Sequence, residues 1–163
     1  MKTWWNRCRR RWVALGRLRG IAEWWLFLRA LCFAATVPAL MRLHLPTLGR
    51  LLERRFAGRP AAPGTEATSS RVICAVESVL TIGSPLVSSR CLTRGLTLYY
   101  FLRRAGLKLS LCFGAGWGQA GFSGHCWLVK DGMPFLERSD PNRSFVVMYR
   151  LPECLVQQSA PHS

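Results

Sequence analysis

The segment that decides the fold class runs from Ser89 to Phe113 and reads SRCLTRGLTLYYFLRRAGLKLSLCF. Its first part, up to Gly106, carries apolar side chains at a spacing of three or four residues, which predicts an amphipathic helix. The residues of this stripe are Leu92, Leu96, Tyr99 and Leu102. From Leu107 onward the apolar residues instead occur at every second position, which predicts a half-buried strand. A helix followed directly by a strand indicates a mixed α and β domain.

The residues downstream of this segment predict the rest of a sheet. A glycine-rich stretch, Gly114–Gly124, predicts a loop, and Asp131-Gly132 is a strong signal for a tight hairpin. Three short apolar stretches flank these turns and are expected to be strands: His125–Val129, Pro134–Glu137 and Phe145–Leu151. The predicted fold class is therefore α+β, with helices packed on an antiparallel sheet.

Upstream, the segment Arg71–Ile82 has apolar residues at helical spacing, and Gly83 ends the predicted helix. The segment before it, Gly58–Ser70, is rich in Pro, Gly, Ala, Ser and Thr and predicts a linker. The chain is thus expected to contain four parts: a basic, apolar helical region at residues 1–57, the linker at 58–70, a domain at 71–152 and a flexible tail at 153–163.

The N-terminal region contains an apolar stretch of nearly membrane length, residues 24–41, WWLFLRALCFAATVPALM. Arg29 and Pro38 interrupt it, and a central Arg costs about 2.5–3.5 kcal/mol on membrane insertion. We therefore favour two amphipathic helices, at about residues 10–36 and 39–56, that dock on the downstream domain, on a partner protein or on a membrane surface. A single membrane-spanning helix is the alternative.

The composition constrains the partners and the compartment. The chain has 163 residues, and 23 Lys and Arg against 8 Asp and Glu give a net charge of +15. Such a charge attracts acidic partners, among them anionic lipids, nucleic acids and acidic peptides. The seven cysteines form no C-x-x-C pair and are odd in number, which argues against a zinc knuckle and against a complete set of disulfides. A reducing, cytoplasmic compartment is therefore expected, with or without membrane association.

Cys91 is the first candidate for chemistry, because it lies in the first turn of the predicted helix, where Ser88 or Ser89 can act as the cap. The unpaired amide groups of a helix N-terminus carry a partial positive charge that favours the thiolate, and Arg90 adds to it. A thiolate in this position is a nucleophile. The alternative is that Cys91 is a buried structural cysteine, as many free cysteines are.

His125 is the candidate base, because the other two histidines lie in the basic helical region and next to the last residue of the chain. It begins a predicted strand directly after the glycine-rich loop, a place from which a side chain can reach a nucleophile. Metal binding by His125 with Cys112 or Cys126 is disfavoured, since adjacent residues of a strand point to opposite faces. Neither a metal nor another cofactor is predicted.

Three carboxylates are candidates for orienting the imidazole: Asp131, Glu137 and Asp140. A hairpin loop of three residues, Lys130–Gly132, would place Glu137 directly opposite His125 and on the same face. A loop of two residues would instead place Arg138 there. Asp131 lies at the tip of the turn, about 20 Å along the strand from His125. We expect Glu137 to complete the triad, with Asp140 as the fallback.

The pattern of these residues resembles the transglutaminase-like peptidases of lasso peptide biosynthesis, which include the microcin-processing maturation enzymes. The resemblance covers about residues 71–152 and rests on three motifs: Arg90-Cys91-Leu92-x-Arg94, Leu102-Arg103-Arg104-x-Gly106, and Gly124-His125-Cys126-Trp127 followed by Asp131-Gly132. The family has Ala where Cys126 stands and commonly Asp where Glu137 stands. The resemblance implies a transglutaminase/papain-like fold with an N-terminal helical appendage, and it implies Cys91, His125 and Glu137 as catalytic residues.

The resemblance further implies a cysteine peptidase that removes the leader from a ribosomally made precursor peptide, so that an asparagine-synthetase-like lasso cyclase can close the ring. Because residues 1–70 show no strand-rich pattern, a separate leader-binding protein is expected as a partner. Membrane contact is expected, if at all, through residues 10–56, and no nucleic acid partner is expected. The same Cys–His pair would also suit an acyl transferase or amidase. A non-catalytic basic scaffold or membrane-associated protein is the other alternative.

Overall fold

The computed structural model describes residues 20–56, 66–82, 91–118 and 121–152 of the chain. Within these residues, four α-helices come first: α1, Ile21–Leu40; α2, Leu45–Phe56; α3, Glu66–Ile82; and α4, Cys91–Arg104. The strands follow them: β1, Ser110–Gly118; β2, Gly121–Lys130; β3, Met133–Phe135; and β4, Val146–Leu151. A short 3-10 helix, Pro141–Arg143, precedes β4.

Helix α4 forms as its apolar stripe predicts, because Leu96, Tyr99 and Leu102 are fully buried. Gly106 follows the helix at a φ of 93°, the left-handed conformation that often ends helices. Arg103 and the final residue, Arg104, lie in the last turn, where cations interact favourably with the helix dipole. Local sequence signals therefore set the end of α4, and burial of the stripe sets its orientation.

The strands form one antiparallel sheet in the described part of the chain, with the order β3-β2-β1-β4. β1 and β2 form a long hairpin, which pairs Ser110 with Val129 at one end and Gly118 with Gly121 at the other. β4 pairs with the free side of β1, and the short β3 pairs with β2 at the far edge. The helices precede the sheet in the chain, as predicted, and the α+β prediction is confirmed.

The two faces of the sheet have different partners, since successive residues of a strand point to opposite sides. One face packs on the helices in a large core, whose buried strand residues are Leu111, Cys126, Leu128 and Leu151. The opposite face carries a smaller apolar cluster of Cys112, Trp127 and Val129, with Phe145 and Val147 packed against it. Within the described residues, the sheet thus separates a face covered by helices from a face on which Phe145 and Val147 pack.

The predicted loop at Gly114–Gly124 is wrong, because most of these residues belong to the paired ends of β1 and β2. Close packing explains why glycines stand there. A Cβ placed on Gly114 would lie 2.7 Å from the ring of Trp127, and one on Gly116 would overlap the carbonyl oxygen of Ser144. Glycine in a strand often marks such a close approach, which a propensity-based interpretation treats as a loop.

The N-terminal boundaries also differ from the prediction. The residues Glu66–Ser70, predicted as the end of the linker, form the first turn of α3, and Glu66 favours that turn because it complements the helix dipole. The remainder of the predicted linker and residues 1–19 lie outside the described residues. The first predicted helix is present from Ile21 and continues through Pro38 to Leu40.

The hydrophobic packing crosses the predicted boundary at residue 57. Buried side chains of α1 and α2, among them Ala34, Val37 and Leu48, belong to the same cluster as those of α3, α4 and the sheet. Helix α1 packs on α3 and α4, and α2 contacts α4. The N-terminal helices α1 and α2 therefore share one hydrophobic core with α3, α4 and the sheet.

Helix α1 is the one helix among the described residues that is long and apolar enough to cross a membrane, with a mean hydropathy of 1.3. This property alone is weak evidence, because core helices of soluble proteins share it. One stripe of α1 is buried in the protein and consists of Phe27, Ala30, Ala34 and Val37. That side of the helix is occupied by α3 and α4.

Candidate active site

Cys91 is the first residue of α4, as predicted, and its side chain is half-buried. The predicted caps, Ser88 and Ser89, lie outside the described residues. The first N–H groups of a helix have no partner within the helix, and they present a partial positive charge to any group placed there. The position of Cys91 therefore suits a thiolate nucleophile.

Gly95 sets how α4 lies on the sheet. A Cβ on Gly95 would lie 2.8 Å from Sγ of Cys126 and 3.2 Å from Cδ1 of Leu111, so the helix backbone rests directly on β2. Residues four apart share one face of a helix, and Cys91 precedes Gly95 by one turn. Cys91 therefore faces the sheet, beside the strand that carries His125.

His125 lies on the other face of β2, because its neighbour Cys126 points to α4. Two aromatic rings hold the imidazole. The ring of Trp127 stacks on it with centroids 5.9 Å apart and planes at 15°, and the ring of Phe145 lies 5.2 Å away. The orientation of His125 is therefore fixed by packing as well as by its strand.

The hairpin after β2 has a two-residue loop, and the predicted three-residue loop is wrong. Lys130 pairs with Met133, and both loop residues have positive φ: 50° for Asp131 and 81° for Gly132. Two such residues make the type I′ turn that suits the twist of a hairpin. The Asp-Gly sequence is compatible with both loops, and this register does not place Glu137 opposite His125.

Glu137 nevertheless contacts His125, for a different reason. Its Oε2 lies 3.4 Å from Nε2 of His125. Strand β3 ends at Phe135, and Leu136 adopts a left-handed φ of 62°, which turns the chain out of the strand and brings Glu137 to the edge of β2. The predicted pair is thus adjacent in the structure, while the register argument for it was wrong. The catalytic role of Glu137 stays a prediction.

The other two candidate carboxylates have local roles. Asp131 is the first of the two loop residues in the type I′ turn. Asp140 precedes the 3-10 helix, and its Oδ1 accepts hydrogen bonds from the backbone N–H and from Nδ2 of Asn142. Each role is one that aspartate performs in turns and helix caps.

Arg94 is a residue of the site to which the sequence interpretation gave no role. Its Nε donates a hydrogen bond of 2.8 Å to Oε1 of Glu77, and its Nη1 lies 3.4 Å from Oε1 of Glu137. Its Nη2 donates to the carbonyl oxygen of Leu136 at 3.2 Å. The signal was available, because Arg94 stands three residues after Cys91 in the motif that carries the resemblance.

Cys126 lies on the face of β2 that packs against α4. Burial raises the pKa of the Cys126 thiol far above its ordinary value, and the nearby carboxylate of Glu137 raises it further. Cys126 therefore stays a neutral thiol in the folded protein.

The edge of β2 beside His125 is open on one side within the described residues. Because β3 pairs only with Leu128, Val129 and Lys130, the part of β2 that contains His125 has no neighbour on that side among the described strands. The carboxylate of Glu137 lies at this open edge, with one oxygen toward Arg94 and the other toward His125. With Nε2 bound to the carboxylate, Nδ1 is the nitrogen that remains for accepting a proton from a thiol.

No cluster of three or more His, Cys, Asp or Glu side chains suited to a metal ion occurs in the described part of the chain. The donors at this site are instead a thiol, an imidazole and a carboxylate. This set is the one that nucleophilic acyl chemistry uses.

Comparison with known proteins gives one match. The sequence matches the Transglutaminase-like superfamily over residues 33–150, a range that begins inside α1 and ends in β4. Neither a curated protein nor a solved structure matches significantly. The matched range contains Cys91, His125 and Glu137 and covers well over half of the chain. The chain belongs to the Transglutaminase-like superfamily.

Proposed function

We propose that this protein is a cysteine peptidase in which Cys91 is the nucleophile, His125 the base and Glu137 the residue that orients the imidazole. The observation that carries the proposal is the 3.4 Å contact between Glu137 and His125 on β2, the strand against which the helix that begins with Cys91 packs. Membership in the superfamily supports the choice of chemistry, since its members include cysteine peptidases and acyl transferases.

In this mechanism His125 takes the proton of the Cys91 thiol, and the thiolate attacks the carbonyl carbon of the scissile peptide bond. The C–N bond breaks, the amine leaves with the proton from the imidazolium, and an acyl group remains on Cys91 as a thioester. Water then attacks the thioester while His125 accepts its proton, the C–S bond breaks to release the acid, and His125 returns the proton to the sulfur of Cys91. Glu137 holds the imidazole in one tautomer and stabilises its charged form.

The substrate that we propose is the precursor of a lasso peptide, from which the enzyme removes the leader. The support is the motif resemblance, in which Arg94 follows Cys91 by three residues and Trp127 follows His125 by two. The partners in this proposal are a separate leader-binding protein and an asparagine-synthetase-like cyclase that closes the ring after cleavage.

The test first searches the neighbouring genes for a short precursor and a small leader-binding protein, and then follows cleavage of that precursor by mass spectrometry. Cys91→Ala and His125→Ala should each reduce the rate by at least about 10⁴-fold, and the double variant should be no worse, because members of a catalytic unit are not additive. Glu137→Gln should reduce it by about 10²–10⁴-fold.

Asp131→Asn is the matched control, because Asp131 is another carboxylate close to β2 in the chain and occupies the tip of the turn. It should cleave at nearly the wild-type rate. Wild-type cleavage by Cys91→Ala would overturn the peptidase assignment. Cleavage of general peptides, with no precursor gene nearby, would contradict the lasso role and leave the peptidase assignment intact.

Acyl transfer is the second candidate, because the same thioester forms and only the acceptor differs. The open edge of β2 at His125 offers an amine the same access as water. Adding a primary amine during cleavage distinguishes the two. An amide product that replaces the free acid in proportion to amine concentration would show a transferase, and an unchanged acid would show a peptidase.

A further inference from the structure

The N-terminal half of α1 carries an unusual exposed surface. Ile21, Trp25 and Leu28 lie on the side of the helix opposite to its buried stripe and are 81%, 62% and 48% exposed. Trp24, at 48% exposed, lies beside them with its ring edge-on to Phe27. Large apolar side chains that cluster on the surface commonly mark an interaction site.

A cavity of about 280 Å³ opens beside this surface, between α1, α3 and α4. Arg29, Arg71 and Arg104 line it, one from each helix, together with Glu23. Arg104 lies over the ring of Tyr100 and donates to its hydroxyl. Within the described residues, none of these three arginines forms an ion pair with a carboxylate. The cavity therefore carries a net positive charge and suits an anionic group.

The apolar surface and the cavity are neighbours on the same helix. Trp25 and Arg29 are four residues apart, so their side chains lie side by side on α1. Tryptophan prefers the boundary between lipid chains and headgroups, and arginine binds phosphate through two parallel hydrogen bonds. A surface with tryptophans next to arginines matches the chemistry of an anionic phospholipid layer.

We propose that Ile21, Trp24, Trp25 and Leu28, with the cavity lined by Arg29, Arg71 and Arg104, form a docking surface for a membrane that contains anionic phospholipids. The rings and aliphatic chains enter the headgroup boundary, and the arginines bind a lipid phosphate. Helix α1 lies on the membrane and does not span it, because its other face is buried against α3 and α4.

This arrangement leaves the candidate active site in water. Helix α4 has Arg104 at its last position and Cys91 at its first, and 14 residues of helix span about 20 Å. The docking surface and Cys91 are therefore at opposite ends of α4. A membrane-bound molecule would present Cys91 away from the lipid, where a peptide substrate can reach it.

The test is cosedimentation of the full chain with vesicles of phosphatidylglycerol and phosphatidylcholine, compared with pure phosphatidylcholine. We expect binding only to the anionic vesicles, weaker at higher salt. Arg71→Gln should weaken it about fivefold and the Arg29→Gln/Arg71→Gln pair about 25-fold, since each basic residue near an anionic surface contributes a similar factor. Trp25→Ser should weaken it about tenfold through lost apolar burial.

Matched controls come from the sheet end of the molecule. Trp117 is 81% exposed in the β1–β2 hairpin, and Arg143 is exposed in the 3-10 helix. Trp117→Ser and Arg143→Gln should bind vesicles like the wild type. Equal losses in these controls, or equal binding to neutral vesicles, would overturn the proposal. A protein that ignores vesicles but self-associates through Trp25 would show a dimer interface instead.

Peptide cleavage in vesicle-free buffer is measured for every variant. The proposal does not depend on the peptidase assignment, because vesicle binding is read out without a substrate. Circular dichroism checks that each variant is folded, and the side chains exchanged on α1 are largely exposed.

Discussion

At the scale of single residues, Arg94 connects the groups of the candidate site. One guanidinium contacts Glu77 of α3, the carboxylate of Glu137 and the carbonyl oxygen of Leu136. The left-handed backbone of Leu136 costs about 1–3 kcal/mol, which surrounding contacts must offset. Because Arg94 binds this carbonyl and the next side chain, it stabilises the turn that brings Glu137 to His125.

We therefore predict that Arg94→Ala lowers kcat of the cleavage reaction by about 100-fold, the size of loss expected when a catalytic group is misplaced by about 1 Å. KM should change little, because Arg94 acts on Glu137 and not on the substrate. The variant Arg94→Lys keeps the charge but lacks the planar fork of donors, and it should recover only part of the rate.

A double-mutant cycle separates this role from general destabilisation. In a Glu137→Gln background, Arg94→Ala should have almost no further effect on kcat, because its target is already lost. Glu77→Gln changes the other carboxylate that Arg94 contacts, and it should lower kcat less than Arg94→Ala does. Additive losses, with matching decreases in Tm, would mean that Arg94 serves only the fold.

At the scale of elements, the contact between α4 and β2 depends on the absence of a side chain at Gly95. A methyl group there would lie 2.8 Å from Sγ of Cys126. We predict that Gly95→Ala destabilises the protein by about 1–3 kcal/mol through overpacking. Thermal unfolding followed by circular dichroism measures this as a Tm lower by several degrees.

Removal of the sulfur should relieve the clash. The Gly95→Ala/Cys126→Ala double variant is expected to be more stable than Gly95→Ala alone, because the methyl group of one residue replaces the Sγ of the other. If the two changes instead add without coupling, α4 does not rest on Cys126 as described.

The elements also show what the sequence could and could not predict. Helix α4 follows from periodicity and the β2–β3 hairpin from Asp131-Gly132, since both are local signals. The left-handed Leu136 has no such signal, because the hydrogen bond that its carbonyl accepts comes from Arg94, a residue 42 positions away. The predicted loop at Gly114–Gly124 failed for a similar reason, since packing with Trp127 and Ser144 decides it.

At the scale of the whole molecule, the pH dependence of stability follows from buried acids that remain neutral. Burial is the main cause that raises the pKa of Tyr99, Cys112 and Cys126 in the folded protein. In the unfolded chain the thiols ionise near 9.0 and the phenol near 10.0. Above these values the folded state holds more protons than the unfolded state, so the free energy of unfolding falls as pH rises.

We therefore predict a nearly constant contribution from these groups below about pH 8 and a progressive loss of stability above about pH 9. Urea unfolding between pH 7 and pH 10.5 measures it. The Cys126→Ala variant should lose less stability over the same range, because one of the buried thiols is absent. Stability that increased above pH 9 would contradict the assignment of buried neutral thiols.

The rings of Trp127 and Phe145 that pack on His125, here called the aromatic clamp, affect the order in which the site forms during protein synthesis. One ring of the clamp belongs to Phe145, which follows Cys91, Arg94 and His125 in the chain. A ribosome releases these residues in order, and N-terminal parts begin to fold first. We expect that the emerging polypeptide exposes its thiol before the imidazole is held in place. Newly made molecules would then react with alkylating agents at Cys91 before the ring of Phe145 packs on His125.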